Sequence, residues 1–188
     1  MSTSNNATSA DNQQERLIKL GWIVGFVDGE GCFSIGFIKQ PDREESLRIR
    51  RGYRMGVQAW HEFAVTQGMK SLSSLKKVRN FFGVGNLYLN QRHDNHKEHL
   101  YRYAVRKRAD LLRVIIPFFE KHHLQTSKNN DFRLFAQCVR MMSQNKHLER
   151  KGLIKILKLS EQMNHKKSKN NLIRILRNQT PTTPFRRE

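Results

Sequence analysis

Cysteine is scarce in this sequence, with Cys32 and Cys138 among 188 residues. Two thiols cannot build a disulfide framework or a cysteine-based zinc site, and this usage favours a reducing intracellular compartment. Long apolar runs are also missing, since no stretch reaches the roughly 20 residues that a membrane-spanning helix needs. The first residues, MSTSNNATSADNQQE, lack the charged start and apolar segment of a secretory signal. We therefore expect an intracellular protein without a membrane partner.

Acidic residues are few relative to basic ones. The chain has 35 Lys and Arg against 16 Asp and Glu, which gives a formal net charge of +19 at pH 7. Because the excess is spread along most of the chain, it favours a polyanionic partner, and nucleic acid is the first to consider. Ribosomal proteins and other RNA-binding proteins share this property, so the charge alone identifies no activity.

Proline is rare as well, and its four positions mark interruptions. Pro41 lies in the charged segment PDREESLRIRRG, which we expect to be a loop. Pro117 falls late in an apolar helical segment and is expected to distort the last turn of that helix. The other two prolines lie near the C-terminal end. The predicted organisation is a disordered arm over residues 1–15, one domain over 16–166 and a basic tail over 167–188.

Hydrophobic periodicity separates helices from strands. Apolar residues that recur every three or four positions predict helices over residues 17–28, 69–82, 110–121, 127–143 and 149–163. Alternating patterns predict strands over residues 32–40, 53–67, 86–92 and 99–106. The order indicates an α+β fold with an α-β-β-α-β-β-α core, in which helices cover one side of an antiparallel sheet and additional helices follow at the C-terminal end.

One face of the predicted sheet is dominated by polar and basic side chains. A solvated face explains such a pattern on an isolated strand. However, Arg, Gln and Asn make bidentate bonds to the edges of guanine and adenine, and this face offers several of them on four strands. The candidate DNA-binding residues are Ser34, Ile38, Gln40, Arg54, Gln58, Trp60, Glu62, Thr66, Asn86, Tyr88, Asn90, Arg92, Arg102 and Arg106.

The stretch LGWIVGFVDGEG places Gly21, Gly25 and Gly29 at intervals of four, so on a helix they form one smooth stripe. Each glycine inside a helix costs about 0.5–1 kcal/mol relative to alanine, so the stripe requires a compensating use. A stripe without side chains lets a second backbone approach closely. If that backbone is the same helix of a second subunit, the carboxylates of Asp28 and Glu30 meet at the symmetry axis. Hard cations such as Mg²⁺ would relieve the repulsion between them.

Within this stretch, IVGFVDGEG resembles the motif of the LAGLIDADG homing endonucleases. The resemblance extends to FAVTQGMKSLSSLKKVRNFFGVGNLYLNQR and to YRYAVRKRADLLRVIIPFFEKHHLQTSKNNDFRLF, and it covers about residues 17–163. The chain is similar to the single-motif branch of that family. The resemblance implies a homodimer whose interface contains Gly21, Gly25 and Gly29. It also implies a saddle-shaped antiparallel sheet that lies over the major groove of double-stranded DNA.

The same resemblance assigns roles to the end of the motif. Glu30 is implied as the ligand of the catalytic metals, and the backbone carbonyl of Gly29 as a further ligand. Many members of the family have Asp where this chain has Glu30, and the additional methylene should alter the metal geometry slightly. Asp28 falls on a position that more often supports the helix end. The implied metal is Mg²⁺, with Mn²⁺ as a substitute and Ca²⁺ supporting binding without cleavage.

Two further pocket positions are implied. Gln67, in FAVTQ, is similar to the residue that orders water near the scissile phosphate. Lys128, in LQTSKNND, best fits a basic residue that stabilises phosphate charge or orients water, with Lys121 and His122 as rivals. An equally open alternative for Lys128 is that it caps a helix or contacts the DNA backbone.

As a whole, the resemblance implies an intron-encoded, site-specific DNA endonuclease. One motif brings one Glu30 per chain, so a homodimer would cut both strands of a long near-palindromic site and leave short 3′ overhangs. Two other functions remain open: an intron maturase that binds its own intron RNA, and a DNA-binding regulator that does not cut. The expected location is an organelle that encodes the protein, a chloroplast or a mitochondrion, or else a bacterial or archaeal cytoplasm.

Overall fold

The structure, a computed structural model, describes residues 4–39, 43–45, 48–50, 52, 55–91, 98–163 and 170–178. Its helices are α1 Ser4–Glu30, α2 Leu72–Phe82, α3 Arg108–Asp110, α4 Ile116–Lys121, α5 Lys128–Ser143, α6 Arg150–Glu161 and α7 Asn170–Asn178. Its strands are β1 Gly31–Lys39, β2 Arg43–Glu45, β3 Arg48–Arg50, β4 Val57–Gly68, β5 Asn86–Asn90 and β6 Leu100–Val105. The order of the elements confirms the predicted α-β-β-α-β-β-α core, followed by further helices.

Helix α1 is longer than the sequence predicted. It begins at Ser4, so the expected disordered arm over residues 1–15 and the expected start at Leu17 are wrong for the described residues. The segment SNNATSADNQQER has no apolar period, which is why periodicity gave no helical signal there. Extending a helix that is already nucleated adds a hydrogen bond with each residue and needs no second nucleus.

The C-terminal end of α1 lies two residues beyond the predicted end at residue 28. Ile23 and Val27 are fully buried at 0% exposure, and the helix ends at Glu30. Gly31 then opens β1 directly. A Cβ atom on Gly31 would lie 2.6 Å from the carbonyl oxygen of Val27, closer than real contacts allow. Glycine is therefore required for this tight change from helix to strand.

The chain divides into two compact units. Unit 1 comprises Met1–Cys32 and Phe63–Asn129, and unit 2 comprises Phe33–Glu62 and Asn130–Glu188. The prediction of one domain over residues 16–166 rested on length, which favours one core but cannot show how a chain distributes its contacts. The strand order of the larger sheet is β1-β4-β6-β5.

In unit 1, strand β6 pairs antiparallel with β5 and with the second half of β4. Phe63 lies in an aromatic cluster in which its ring is 6.1 Å from those of Phe82 and Tyr103 and 5.8 Å from that of Phe119. The Tyr103 hydroxyl donates a hydrogen bond of 2.8 Å to the carbonyl of Val84. Burial raises the pKa of Tyr103 above its ordinary value.

In unit 2, the ring of Phe33 on β1 lies 5.3 Å from that of Phe132 and 5.4 Å from that of Phe135. Both partners belong to α5, whose predicted start and end are confirmed within one residue. A second cluster of buried side chains joins β4, α6 and α7, and consists of Val57, Leu153, Leu157, Ile173 and Leu176.

Three local predictions were wrong. Part of the expected loop after β1 forms the antiparallel pair β2-β3, in which Arg43 lies opposite Arg50. Its three-residue strands are too short and too charged to show alternation. The expected tail contains α7, which buries Ile173 and Leu176. Pro117 was expected to distort the last turn of its helix, but the distortion is a π-helical turn over Leu111–Ile115, before the proline. The reason is that a proline ring clashes with the carbonyl four residues earlier in the chain.

The described helices include none that is both long and apolar enough to cross a lipid bilayer.

Candidate active site and nucleic-acid interface

The carboxylate of Asp28 is buried at the end of α1, with 9% exposure of the residue. It accepts hydrogen bonds from the backbone nitrogens of Gln125 at 2.8 Å and of Thr126 at 3.1 Å. The Thr126 hydroxyl donates a further hydrogen bond of 2.6 Å to it. The oxygens of Asp28 are therefore committed to the segment before α5.

Lys128 lies at the same helix end. Its amine donates hydrogen bonds to the carbonyl of Val27 at 3.1 Å and to that of Gly29 at 2.9 Å. These carbonyls belong to the last turn of α1, where the helix leaves acceptors unpaired and presents a partial negative charge. Within this chain, Lys128 therefore caps the C-terminal end of α1, as one of the two alternatives predicted. The same contacts place a positive charge next to the motif.

Glu30 differs from Asp28 although it is only two residues away. Its side chain is exposed, and so is the adjacent Gly29. The two together present a carboxylate and a backbone carbonyl, the hard oxygen ligands that divalent cations prefer. Among the described residues, no group of three or more His, Cys, Asp and Glu side chains is placed to hold a metal within one chain.

The structure distinguishes the three candidate basic residues. Lys128 contacts the motif directly. Lys121 is exposed at the end of α4, and the ring of His122 lies 4.9 Å from that of Phe118. Gln67 is half-buried near the end of β4, opposite Tyr101 of β6. Its role near the scissile phosphate stays a prediction.

The glycine stripe of α1 lies open. A Cβ atom added to Gly21, Gly25 or Gly29 would meet no described atom within 4 Å, apart from the helix's own backbone. The glycines therefore do not serve close packing among the described residues. Large apolar side chains flank the stripe, with Ile18 exposed by 64% and Trp22 by 37%.

A polar row crosses the sheet of unit 1. Thr66 of β4, Arg102 of β6 and Tyr88 of β5 lie in register, so their side chains share one face. The Arg106 guanidinium lies 4.8 Å from the centre of the Tyr88 ring. The register also places Ala64 and Ala104 beside Asn86 on this face. Ala64 and Ala104 are not among the candidate residues predicted from the sequence, because only polar side chains indicated this face there.

The remaining candidate DNA-binding residues differ in accessibility. Glu62 is buried with 3% exposure, so its predicted outward placement is wrong, and its role in DNA binding stays a prediction. Its polar side chain had been placed outward by alternation alone. The side chains of Ile38, Trp60, Asn86 and Asn90 are exposed, and those of Ser34 and Gln58 are half-buried. Gln40, Arg54 and Arg92 lie outside the described residues.

Known proteins resemble this chain in sequence and in fold. The family model described as LAGLIDADG endonuclease matches residues 23–139. An uncharacterised 50.9 kDa protein in ND4 intron 1 of Podospora anserina is 33% identical over 127 residues, which are 68% of this chain and 25% of that protein. Other relatives are named as probable intron-encoded endonucleases. The chain spans about a quarter of the length of these curated relatives.

Solved structures agree with this match. The homing endonuclease I-TnaI superposes with a TM-score of 0.65 at 36% identity, over 84% of this chain and 95% of that one. I-SmaMI, solved on an uncleaved DNA target in the presence of calcium ions, gives a TM-score of 0.65 at 30% identity, over 86% of this chain and 50% of that one. The matching fold, the motif on α1 and the family model together show that this chain belongs to the LAGLIDADG endonuclease family.

Proposed function

We propose that this chain is a site-specific DNA homing endonuclease encoded by an intron. The observation that carries the proposal is the contrast at the end of α1. Asp28 is fully engaged, whereas Glu30 is exposed, and the Lys128 amine lies beside the carbonyl between them. An exposed acid next to a fixed cation, on a basic chain, suits the hydrolysis of a phosphodiester. The names of the relatives favour an endonuclease over a maturase.

The proposed active form is a homodimer. The open stripe of Gly21, Gly25 and Gly29 allows a second α1 to approach closely, and the exposed Ile18 and Trp22 would be buried by it. A two-fold axis along this contact brings one Glu30 from each subunit to the same place. Each strand of the DNA would then be cut by a site to which both subunits contribute, and the two-fold symmetry would favour a near-palindromic target. The family resemblance adds the expectation of short 3′ overhangs.

The residues fit a divalent cation, for which Mg²⁺ is the proposed ion and Mn²⁺ a substitute. Glu30 would hold it through its carboxylate, and Gly29 through its carbonyl. That carbonyl oxygen has two lone pairs, so it can accept the Lys128 hydrogen bond and retain one for a cation. When bound, the ion would activate water and stabilise the leaving oxygen. The calcium ions named with uncleaved DNA in the I-SmaMI structure support Ca²⁺ as an ion for binding without cleavage.

The rest of the proposed chemistry belongs to the side chains. Lys128 offsets the negative charge that develops on the phosphate in the transition state. Gln67 orients water through its amide group. The row of Thr66, Arg102 and Tyr88 contacts base edges in the major groove, while the excess of Lys and Arg binds the phosphate backbone in a salt-dependent way.

The proposed location is the compartment whose genome carries the intron, an organelle being the first choice because one relative is named for its place in an ND4 intron. The test of function is a selection of cleaved sites from a randomised DNA library, with wild type and Glu30→Gln compared in parallel. We expect wild type with Mg²⁺ to enrich one near-palindromic family of sites and Glu30→Gln to enrich none. A Glu30→Gln variant that enriches the same sites equally would contradict the assignment of Glu30.

A further inference from the structure

The Thr126 hydroxyl connects two elements of the candidate site. It donates its proton to Asp28 Oδ1 at 2.6 Å and accepts a hydrogen bond from the backbone nitrogen of Lys128 at 3.2 Å. A hydroxyl has one proton to donate and lone pairs to accept with, so both functions are in use. Thr126 therefore links the last turn of α1 to the first residue of α5.

The consequence of this link falls on Lys128. The residue begins α5, and its amine reaches back to the carbonyls of Val27 and Gly29. A lysine side chain carries about 2 kcal/mol of rotamer entropy, so a fixed amine position needs an anchored backbone at its base. Asp28 and Thr126 supply that anchor, because they hold the backbone at the start of α5 against the helix end that the amine contacts.

We infer that Thr126 is a positioning residue that acts through Lys128. Its hydroxyl fixes the base of the Lys128 side chain relative to α1, so that the amine stands beside Gly29 and next to the proposed phosphate position. The inference rests on the proposed function for its catalytic consequence. Thr126 is exposed and lies far from the motif in sequence. Its expected effect is on the rate of DNA cleavage and not on the recognition of bases.

The test uses Thr126→Val, which keeps the shape and removes the hydroxyl, and Thr126→Ser, which restores the hydroxyl. Ser127→Ala is the matched control, since it removes an exposed hydroxyl one residue away. Single-turnover cleavage is measured on the duplex recovered by the library selection, and affinity is measured with Ca²⁺. All variants are compared at a temperature at which circular dichroism shows them folded.

We expect Thr126→Val to lower the cleavage rate by about 10-fold with an unchanged dissociation constant, which is the lower end of the effect seen when a metal ligand loses its hydrogen-bond partner. The cleavage rates of Thr126→Ser and Ser127→Ala should stay within about 2-fold of wild type, because the first keeps a hydroxyl at position 126 and the second leaves Thr126 unchanged. In a Lys128→Ala background, Thr126→Val should cause no additional loss, because its effect passes through the amine. An additive loss in that background, or a serine variant as slow as the valine variant, would overturn the inference.

A second measurement needs no DNA. Trace acetylation followed by mass spectrometry reports the reactivity of the Lys128 amine, with the exposed Lys121 as an internal reference. We expect Thr126→Val to raise the Lys128 rate several-fold relative to Lys121, and Ser127→Ala to leave it unchanged. Equal rates in wild type and Thr126→Val would overturn the inference. Loss of cleavage in Glu30→Gln tests the proposed function separately, so the two can fail independently.

Discussion

The side chain of Asp28 is held by Thr126 at 2.6 Å, while Glu30, one helical position beyond Gly29, is exposed. Two carboxylates that are neighbours in the motif therefore have different environments. Hydrogen bonds to a charged group contribute about 1.5–3 kcal/mol each to the free energy of unfolding, so the role of Asp28 is to stabilise the fold. The exposed carboxylate of Glu30 is available to a cation.

Glu30→Gln should abolish cleavage without weakening DNA binding. The amide keeps the size of the side chain but cannot supply the charge that a divalent cation needs, so we expect a rate at least about 100-fold lower. Cleavage assays with Mg²⁺ and gel-shift assays with Ca²⁺ measure the two effects. Glu15→Gln, at an exposed position of the same helix, is the matched control and should behave as wild type.

Asp28→Asn should act on stability. Its amide retains one acceptor oxygen in place of two charged ones, so the bonds from Gln125 and Thr126 cannot all be kept. We expect the free energy of unfolding to fall by about 2 kcal/mol, measured by urea denaturation. Glu30→Gln should leave it unchanged. Equal stabilities of the two variants would contradict the distinction between the two acids.

Gly25→Leu tests the glycine stripe. No described atom lies within 4 Å of the new Cβ apart from the helix itself, so the monomer should be as stable as wild type or slightly more stable. The leucine would block a second α1, and sedimentation should then show monomers where wild type forms dimers. Arg16→Leu is the control, because residues nine apart lie on opposite sides of a helix and Arg16 is exposed. Dimers of Gly25→Leu would refute the proposed contact.

Arg102→Ala tests base recognition. Arg102 lies in register between Thr66 and Tyr88, so its loss should relax base preference at one position of each half-site by about 1–3 kcal/mol. Competition binding with targets substituted one base pair at a time measures this. Arg113→Ala removes the same charge from a side chain that is 74% exposed on another element and pairs with Asp110. That control should leave the profile of base preferences unchanged.

The burial of Tyr103 predicts that the free energy of unfolding falls at alkaline pH. Burial raises its pKa in the folded state, so the neutral phenol is favoured there. The stability that results is present below about pH 10, the unfolded value, and is lost as the pH rises towards the higher folded value. Urea denaturation between pH 8 and 11 should show a decline that is smaller in Tyr103→Phe than in the exposed control Tyr88→Phe. Identical declines would contradict the assignment to Tyr103.

The sequence predicted the element order because helices and strands here carry their own apolar periods. The glycine stripe and the two terminal acids are also local features that the sequence shows directly, whereas the metal role of Glu30 comes from the family resemblance and stays a prediction. The contact of Lys128 with Gly29 joins residues 99 positions apart, and no local pattern encodes that distance. The helical start at Ser4 and the short pair β2-β3 were missed because polar residues give neither period.

Glu62 shows a related limit. Alternation placed it on the polar face, but it is buried at 3% exposure, and so are the three residues that follow it, Phe63, Ala64 and Val65. Alternation predicts which side chains are exposed only where one face of the strand is in contact with solvent, and here both faces of the strand are buried. The register, which only the structure gives, was needed to define the row of Thr66, Arg102 and Tyr88.

The central claim is that two copies of Glu30, brought together by the glycine stripe, act in one cleavage event. The most direct test mixes wild type with Glu30→Gln in increasing proportion at constant total protein and measures double-strand cleavage of the selected duplex. If both subunits must supply Glu30 and exchange freely, the rate should fall as the square of the wild-type fraction, to about a quarter in an equal mixture. A linear fall, to about half in that mixture, would show that one chain cuts alone and would contradict the account.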